Sequence, residues 1–272
     1  MQNIPAKKSL GQNWLKSKTA LFKMVETGEI CSTDIIVEVG PGKGALTENL
    51  LEKAGKVIAI EKDHRLIELL KDKFSKQITE DKLILLSKDV LDLIPEKFRL
   101  FGDSYKVIAN IPYYITGQFL RKFLETEAQP ERIIVMVQKE IADRIVAHDG
   151  KESLLSLAVK VYGQVKKVMK VDKENFSPAP KVDSAILAIT NISKKFFTDN
   201  NIPEKKFFEI LHAGFAHKRK MLLGNLKEWF IKKGRKDTET LPNIFAEIKL
   251  SEKIRAEDIT LQNWADLTKN LH

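Results

Sequence analysis

From about Thr33 to Ala147 the apolar positions alternate between short unbroken runs and stretches spaced by three and four residues. The unbroken runs, Ile35 to Val39, Val57 to Ile60, Leu83 to Leu86, Tyr105 to Ala109 and a fifth centred on Val135, predict strands buried on both faces. The spaced stretches between them, among them Ala45 to Ala54, Asp63 to Phe74 and Gly117 to Glu125, predict amphipathic helices, as does Ser17 to Thr27 upstream. This alternation implies a parallel α/β sheet. Helical patterns follow at Glu140 to Ala147 and Ser153 to Tyr162. Two β-like runs, Gln164 to Val171 and Ser184 to Thr190, then flank a proline-rich turn and are expected to pair as a hairpin at one sheet edge. From Ile192 onward strand patterning fades. Helical patterns over Pro203 to Phe215, Lys220 to Lys232 and Ala256 to Leu271 predict a small all-helical domain, with a linker near Asn191 to Asn201. The expected division is 1–192 and 193–272, with no internal repeat.

Composition narrows the class. A chain of 272 residues can bury a sizeable core. No apolar run approaches the ~20 residues that cross a bilayer. Met1 to Lys8 is polar and lacks a signal-peptide stretch, so a soluble cytoplasmic protein is expected. The single cysteine, Cys31, excludes an internal disulfide and is expected to be buried or half-buried without a catalytic duty. Five scattered histidines show no ligand spacing, so no metal is expected. The net charge of +9 favours a polyanionic partner, and residues 193–272 hold 16 Lys and Arg against 11 acids, or +5 of that total. Local clusters occur at His217-Lys218-Arg219-Lys220, at Lys232-Lys233-Gly234-Arg235-Lys236, and among Lys7, Lys8, Lys16 and Lys18.

Candidate chemistry collects at the ends of the apolar runs. The first leads into Gly40-Pro41-Gly42-Lys43-Gly44 and then a helix, an order that lets backbone approach a nucleotide-like ligand. The spacing departs from Gly-x-Gly-x-x-Gly, and a tight strand-to-helix connection would use the same residues. The second run ends in Glu61, about twenty residues on, where a carboxylate can bind both ribose hydroxyls of an adenosine. Asp89 follows the third and could accept from an adenine amino group. Together these residues outline an adenosine-shaped site, which leaves NAD open beside S-adenosylmethionine. The fourth run leads into Asn110-Ile111-Pro112-Tyr113-Tyr114, which resembles the active-site tetrapeptide of amino-methylating enzymes and favours S-adenosylmethionine. An exocyclic adenine amine is a poor nucleophile because its lone pair is delocalised. The Asn110 side-chain oxygen and the Ile111 carbonyl can accept its two hydrogens, Pro112 biases the backbone that aims that carbonyl, and Tyr113 offers a stacking face.

With these residues in view, the sequence resembles the ribosomal RNA adenine N6-dimethyltransferases (the KsgA family) over nearly its whole length. Lys7 to Leu15 is similar to the family's opening motif, with Trp14 where Phe is usual. Val37 to Thr47 is similar to its cofactor loop, Asn110 to Tyr113 to its catalytic segment, Asn175 to Ser184 to its post-catalytic motif, and Phe215 to Leu222 to a basic helix start. Lys218 and Met221 stand where Arg and Thr are usual. The resemblance implies a Rossmann-like seven-stranded methyltransferase sheet with an antiparallel last strand and a small all-helical C-terminal domain. It implies a cofactor site of Asn13, Leu15, Gly40, Gly42, Glu61, Asp89 and Asn110, with S-adenosylhomocysteine as product, and a target base between Tyr113 and Phe176. Local patterning alone favours Phe176 as a core anchor of its turn, and makes Gln12 and Asn13 a cap or a turn before the helix that follows. Lys7, Lys8, Lys218, Arg219 and Lys220 are expected RNA contacts. The implied reaction is N6,N6-dimethylation of two adjacent adenosines in the 3'-terminal hairpin of 16S rRNA, on a ribosomal precursor particle, by a monomer. The rivals are a 23S rRNA methyltransferase of the macrolide-resistance class, an assembly factor with little catalysis and, more remotely, an NAD-dependent oxidoreductase.

Overall fold

The computed structural model describes residues 4–271 apart from 101, 103 and 236. Lys236 of the second basic cluster and the first three residues of the polar N-terminus therefore lie outside the described residues. The apolar runs become strands β1 (Ile35–Val39), β2 (Lys56–Glu61), β3 (Leu83–Ser87), β4 (Lys106–Asn110), β5 (Arg132–Gln138), β6 (Gln164–Val171) and β7 (Ser184–Thr190). They form one seven-stranded sheet in the order β3-β2-β1-β4-β5-β7-β6. The first five are parallel, and β7 runs antiparallel to both its neighbours. Ile36, Val37, Val57, Ile58, Val107, Ile108 and Ile133 to Val137 are all fully buried, as expected of strands covered on two faces. The edge strand β6 differs: Lys166 and Lys170 are exposed there, which discourages pairing with another chain.

Helices α1 (Lys18–Thr27), α2 (Ala45–Leu51), α3 (His64–Lys73), α4 (Thr116–Leu124) and α5 (Lys139–Val146) accompany the strands. Ser17 caps α1 by accepting from the Ala20 amide at 3.3 Å, so neither Gln12 nor Asn13 is needed there. A two-residue antiparallel pair joins Trp14–Leu15 to Phe176–Ser177. It ties the N-terminal strap, residues 7–15, to the loop between β6 and β7.

Contacts divide the chain into two compact units, Met1–Asp143 with Gly163–Ile192, and Arg144–Tyr162 with Ser193–His272. The second holds α6 (Leu154–Lys160), α7 (Glu204–Gly214), α8 (Leu222–Lys232), α9 (Thr240–Glu247) and α10 (Leu261–Asn270) around buried Phe207, Leu226, Phe230 and Trp264. The stretch expected as a linker contains a short helix, Lys195–Asp199, whose Phe197 packs on Tyr162 and Phe207. Helix α9 escaped the sequence reading because Pro242 lies in it, although proline is tolerated in a first turn. Residues 215–221 do not begin a helix. The Asn225 amide donates to the Gly214 carbonyl at 2.6 Å and the His217 carbonyl at 3.2 Å, satisfying groups left open at the end of α7 and holding a turn before α8. Cys31 corrects another expectation: it is exposed, in a turn where its amide donates to the Asp34 carboxylate at 2.8 Å.

Candidate active site

The carboxyl ends of β1 to β4 border a single cleft, where open α/β sheets hold their ligands. Gly40 and Gly42, Glu61, Asp89 and the run Asn110 to Tyr113 line it, together with Asn13 from the strap. Sequence positions more than ninety residues apart thus meet in one place. The closest junction is between Gly40 and Asn110. At Gly40, φ is +75°, and a Cβ would lie 2.6 Å from the Asn110 carbonyl oxygen, so only glycine lets the two segments touch. At Gly42, φ is +58°, and a Cβ would come within 3.0 Å of the Trp14 ring. The Lys43 ammonium sits 4.0 Å above the same ring, in cation–π geometry.

Glu61 ends β2 and is nearly buried. Its two oxygens accept from the Asp63 amide at 2.8 Å and the Gly42 amide at 3.3 Å. Burial pushes its carboxyl above the ordinary range, against the pull of those two amides. Each oxygen retains a lone pair for a further donor. Asp89 caps the turn after β3, accepting from the Leu91 amide at 2.9 Å, and pairs with the Lys62 ammonium at 2.6 Å. Burial works to raise Asp89, but Lys62 and the Leu91 amide outweigh it and hold the group below its ordinary value. It is therefore an anionic acceptor. Tyr113 is anchored by a 2.6 Å hydrogen bond between its hydroxyl and that of Ser184, and burial raises its pKa. Tyr114 beside it is 68% exposed at the cleft.

Leu15 and Phe176 are not brought into the cleft lining. They face each other in the short strand pair and are buried in the hydrophobic core beside Met24, Met136 and Ile186. Of the expected RNA contacts, Lys7, Lys8, Lys218 and Arg219 are exposed. Lys7 lies 3.8 Å from Asp63, and Lys220 is ion-paired with Glu228, which His217 also approaches at 3.1 Å. No group of three or more His, Cys, Asp or Glu among the described residues could hold a metal ion. No helix among them is long and apolar enough to cross a membrane.

Two residues around the cleft, Glu38 and Asp63, were not singled out from the sequence. Glu38, in the middle of β1, is fully buried, and burial together with the nearby Glu61 pushes its carboxyl up to about 8. The Thr47 hydroxyl opposes this only partly and does not reach hydrogen-bond geometry with either oxygen. An acid interrupting an otherwise apolar parallel strand was the available signal. Asp63 left no local trace of its bond to Gln12, made at 3.0 Å across 51 positions.

Comparison with known proteins agrees with this geometry. A family model described as ribosomal RNA adenine dimethylase matches residues 3–270. Ribosomal RNA small subunit methyltransferase A of Enterococcus faecalis is 40% identical over 274 residues, covering 97% of this chain and 90% of that protein. Its namesake in Dehalococcoides mccartyi is 38% identical over 265 residues, covering 97% and 88%. A dimethyladenosine transferase from Plasmodium falciparum superposes with a TM-score of 0.77 at 27% identity, over 93% of this chain and 95% of that one. The 23S rRNA methyltransferase ErmE shares the fold, with a TM-score of 0.73 at 22% identity over 94% and 98%. With its sheet order, cleft and full-length match in agreement, the chain belongs to the ribosomal RNA adenine dimethylase family.

Proposed function

We propose that this chain transfers methyl groups from S-adenosylmethionine to N6 of two adjacent adenosines in the 3'-terminal hairpin loop of small-subunit rRNA. The product is N6,N6-dimethyladenosine, made in the cytoplasm during ribosome assembly. The observation that carries the reading is the close approach of Gly40 to the Asn110 carbonyl, which brings the glycine loop and the Asn-Ile-Pro-Tyr segment side by side in the lining of one cleft.

The residues present fit the cofactor. Gly40 and Gly42 leave room for close backbone approach, the Glu61 oxygens retain acceptor capacity for ribose hydroxyls, and Asp89 can accept from an adenine amine. Asn13 and Asn110 would complete the pocket, with Leu15 supporting it from the core. When bound, the cofactor supplies an electrophilic methyl group on a sulfonium centre. The rest is performed by the chain. The Asn110 side-chain oxygen and the Ile111 carbonyl accept the two hydrogens of the target amine, drawing the nitrogen toward tetrahedral geometry and freeing its lone pair. By holding the amine in place, Asn110 and Ile111 would supply the positioning on which much of the acceleration depends. Extruding the base costs a few kcal/mol, least in a loop, and stacking on Tyr113 returns ~1–3 kcal/mol. Tyr113 keeps its orientation through Ser184. Phe176, which the family resemblance puts on the other side of the base, is buried here and paired with Leu15.

In the helical unit, Lys218 and Arg219 are the phosphate contacts we assign, with Lys8 near the cleft. Lys7 adds a further exposed cation beside the strap, and Lys220, held by Glu228, contributes less. We take the working form to be a monomer acting on a ribosomal precursor particle. The test is methyl transfer from labelled S-adenosylmethionine to unmethylated small subunits, with large subunits in parallel, followed by nucleoside analysis. Dimethyladenosine confined to the small subunit is the expected result. Label confined to the large subunit, or none in either, would overturn the assignment.

A further inference from the structure

We propose that Asp63 is a positioning residue for cofactor binding, locking the N-terminal strap and the ribose-binding Glu61 into one arrangement through its contacts with Gln12 and Glu61. The inference rests on the reading of the cleft as an S-adenosylmethionine site.

Asp63 stands two residues beyond β2 and caps α3, a task that requires one oxygen accepting from the Arg65 amide at 3.2 Å. Its side chain does far more. It is 1% exposed, yet both oxygens are fully used. Oδ1 also accepts from Arg65 Nε at 3.0 Å, while Oδ2 accepts from Arg65 Nη2 at 2.6 Å and Gln12 Nε2 at 3.0 Å. The Lys7 ammonium lies 3.8 Å from Oδ1. Arg65 reaches back to the Pro5 carbonyl at 3.4 Å, so a second strand of contact runs to the N-terminal segment. The Arg65 guanidinium, joined by Gln12, holds the Asp63 carboxyl well below the ordinary carboxylate range even though burial opposes this, so the hub is charged at any working pH.

The two ends of this hub belong to the cleft. On one side Gln12 is fixed in orientation, because its Oε1 accepts the Lys7 amide at 2.8 Å while its Nε2 donates to Asp63. Gln12 lines the cleft and is bonded through the chain to Asn13. On the other side the Asp63 amide donates to Glu61 Oε1 at 2.8 Å, fixing the rotamer of the ribose acceptor. A helix cap explains none of the strap contacts. Their effect is that Asn13 and Glu61, 48 positions apart in sequence, share one anchor. Without it the strap must be ordered when the cofactor binds, and affinity falls by that cost.

The experiment measures the Kd for S-adenosylmethionine and for S-adenosylhomocysteine by calorimetry on the full chain, with KM and kcat on small subunits. The variants are Gln12→Ala, Asp63→Ser and the double substitution. Serine retains a capping oxygen and removes the link to Gln12 and Arg65. Each single variant is expected to raise Kd and cofactor KM about tenfold, with kcat at saturating cofactor within about twofold of the parent. The double variant should be no worse than the weaker single one, because both break the same link. Should Asp63→Ser fail to fold, Gln12→Ala alone decides, since it leaves the cap and Arg65 untouched. An unchanged Kd in Gln12→Ala, multiplicative losses in the double variant, or a loss confined to kcat would overturn the inference while leaving the function intact. A parent chain that binds neither ligand would remove both.

Discussion

Asn110 offers two groups: its backbone carbonyl packs on Gly40, and the residue lines the cleft, where the proposed role belongs to its side chain. Asn110→Ala keeps the first and deletes the second. Single-turnover methyl transfer should fall by about 10² or more, the scale of losing one positioned polar group at a reacting atom, while RNA affinity in a filter-binding assay is preserved. A retained rate would remove Asn110 from the mechanism. Glu38 makes a different kind of prediction. Its carboxyl, at about 8 in the folded chain against an ordinary 4.5, means the fold binds a proton that the unfolded chain has released. Stability of the ligand-free protein from this group is therefore complete below pH 4.5 and is lost as pH rises toward 8. Glu38→Gln removes the titration, so thermal melts from about pH 5 to 9 should show a flatter Tm profile and a higher Tm at the alkaline end. A profile parallel to the parent's would show that another group sets the dependence.

At the scale of elements, the Gly40 turn and the strap are the two pieces that hold the cleft in shape. Gly40→Ala places a methyl group 2.6 Å from a backbone oxygen at positive φ, so the loop must move away from Asn110. A stability loss of about 1–3 kcal/mol in urea melts, with loss of both cofactor affinity and turnover, is expected. Leu15→Ala should cost about 2–5 kcal/mol by opening a cavity against Phe176, and should raise cofactor KM because the strap loses its floor. The sheet was legible in sequence because β1, β2, β4 and β5 are buried on both faces and so read as unbroken apolar runs. Gly40, Glu61, Asp89 and Asn110 were legible because each stands where such a run stops. What escaped was held by partners remote in sequence or by local exceptions. Gln12 finds its role only when Asp63 is beside it, Phe176 is turned into the core by Leu15, α9 is disguised by Pro242, and the turn at 215–221 depends on Asn225. Periodicity reports burial, and these features depend instead on pairwise contacts that it does not encode.

For the whole molecule, charge is the property that acts at a distance. The excess of +9 should make RNA binding steeply salt-dependent, each phosphate contact on single-stranded RNA contributing about 0.7 to the slope of log affinity against log salt. Lys218→Ala and Arg219→Ala should each lower that slope, whereas Lys220→Ala, whose ammonium is held by Glu228, should change it less. Slopes unchanged from the parent in Lys218→Ala and Arg219→Ala would deny the helical unit this role. The sheet as a whole also has a history written into its strand order. β7 is made last yet lies inside, between β5 and β6. Until residue 190 has been synthesised, β5 presents an open backbone edge flanked by Ile133 to Val137, all fully buried once the sheet is complete. A chain that ends between residues 138 and 184 therefore holds a half-built sheet with the β5 edge bare, and such a fragment is more prone to misassociation than the complete chain.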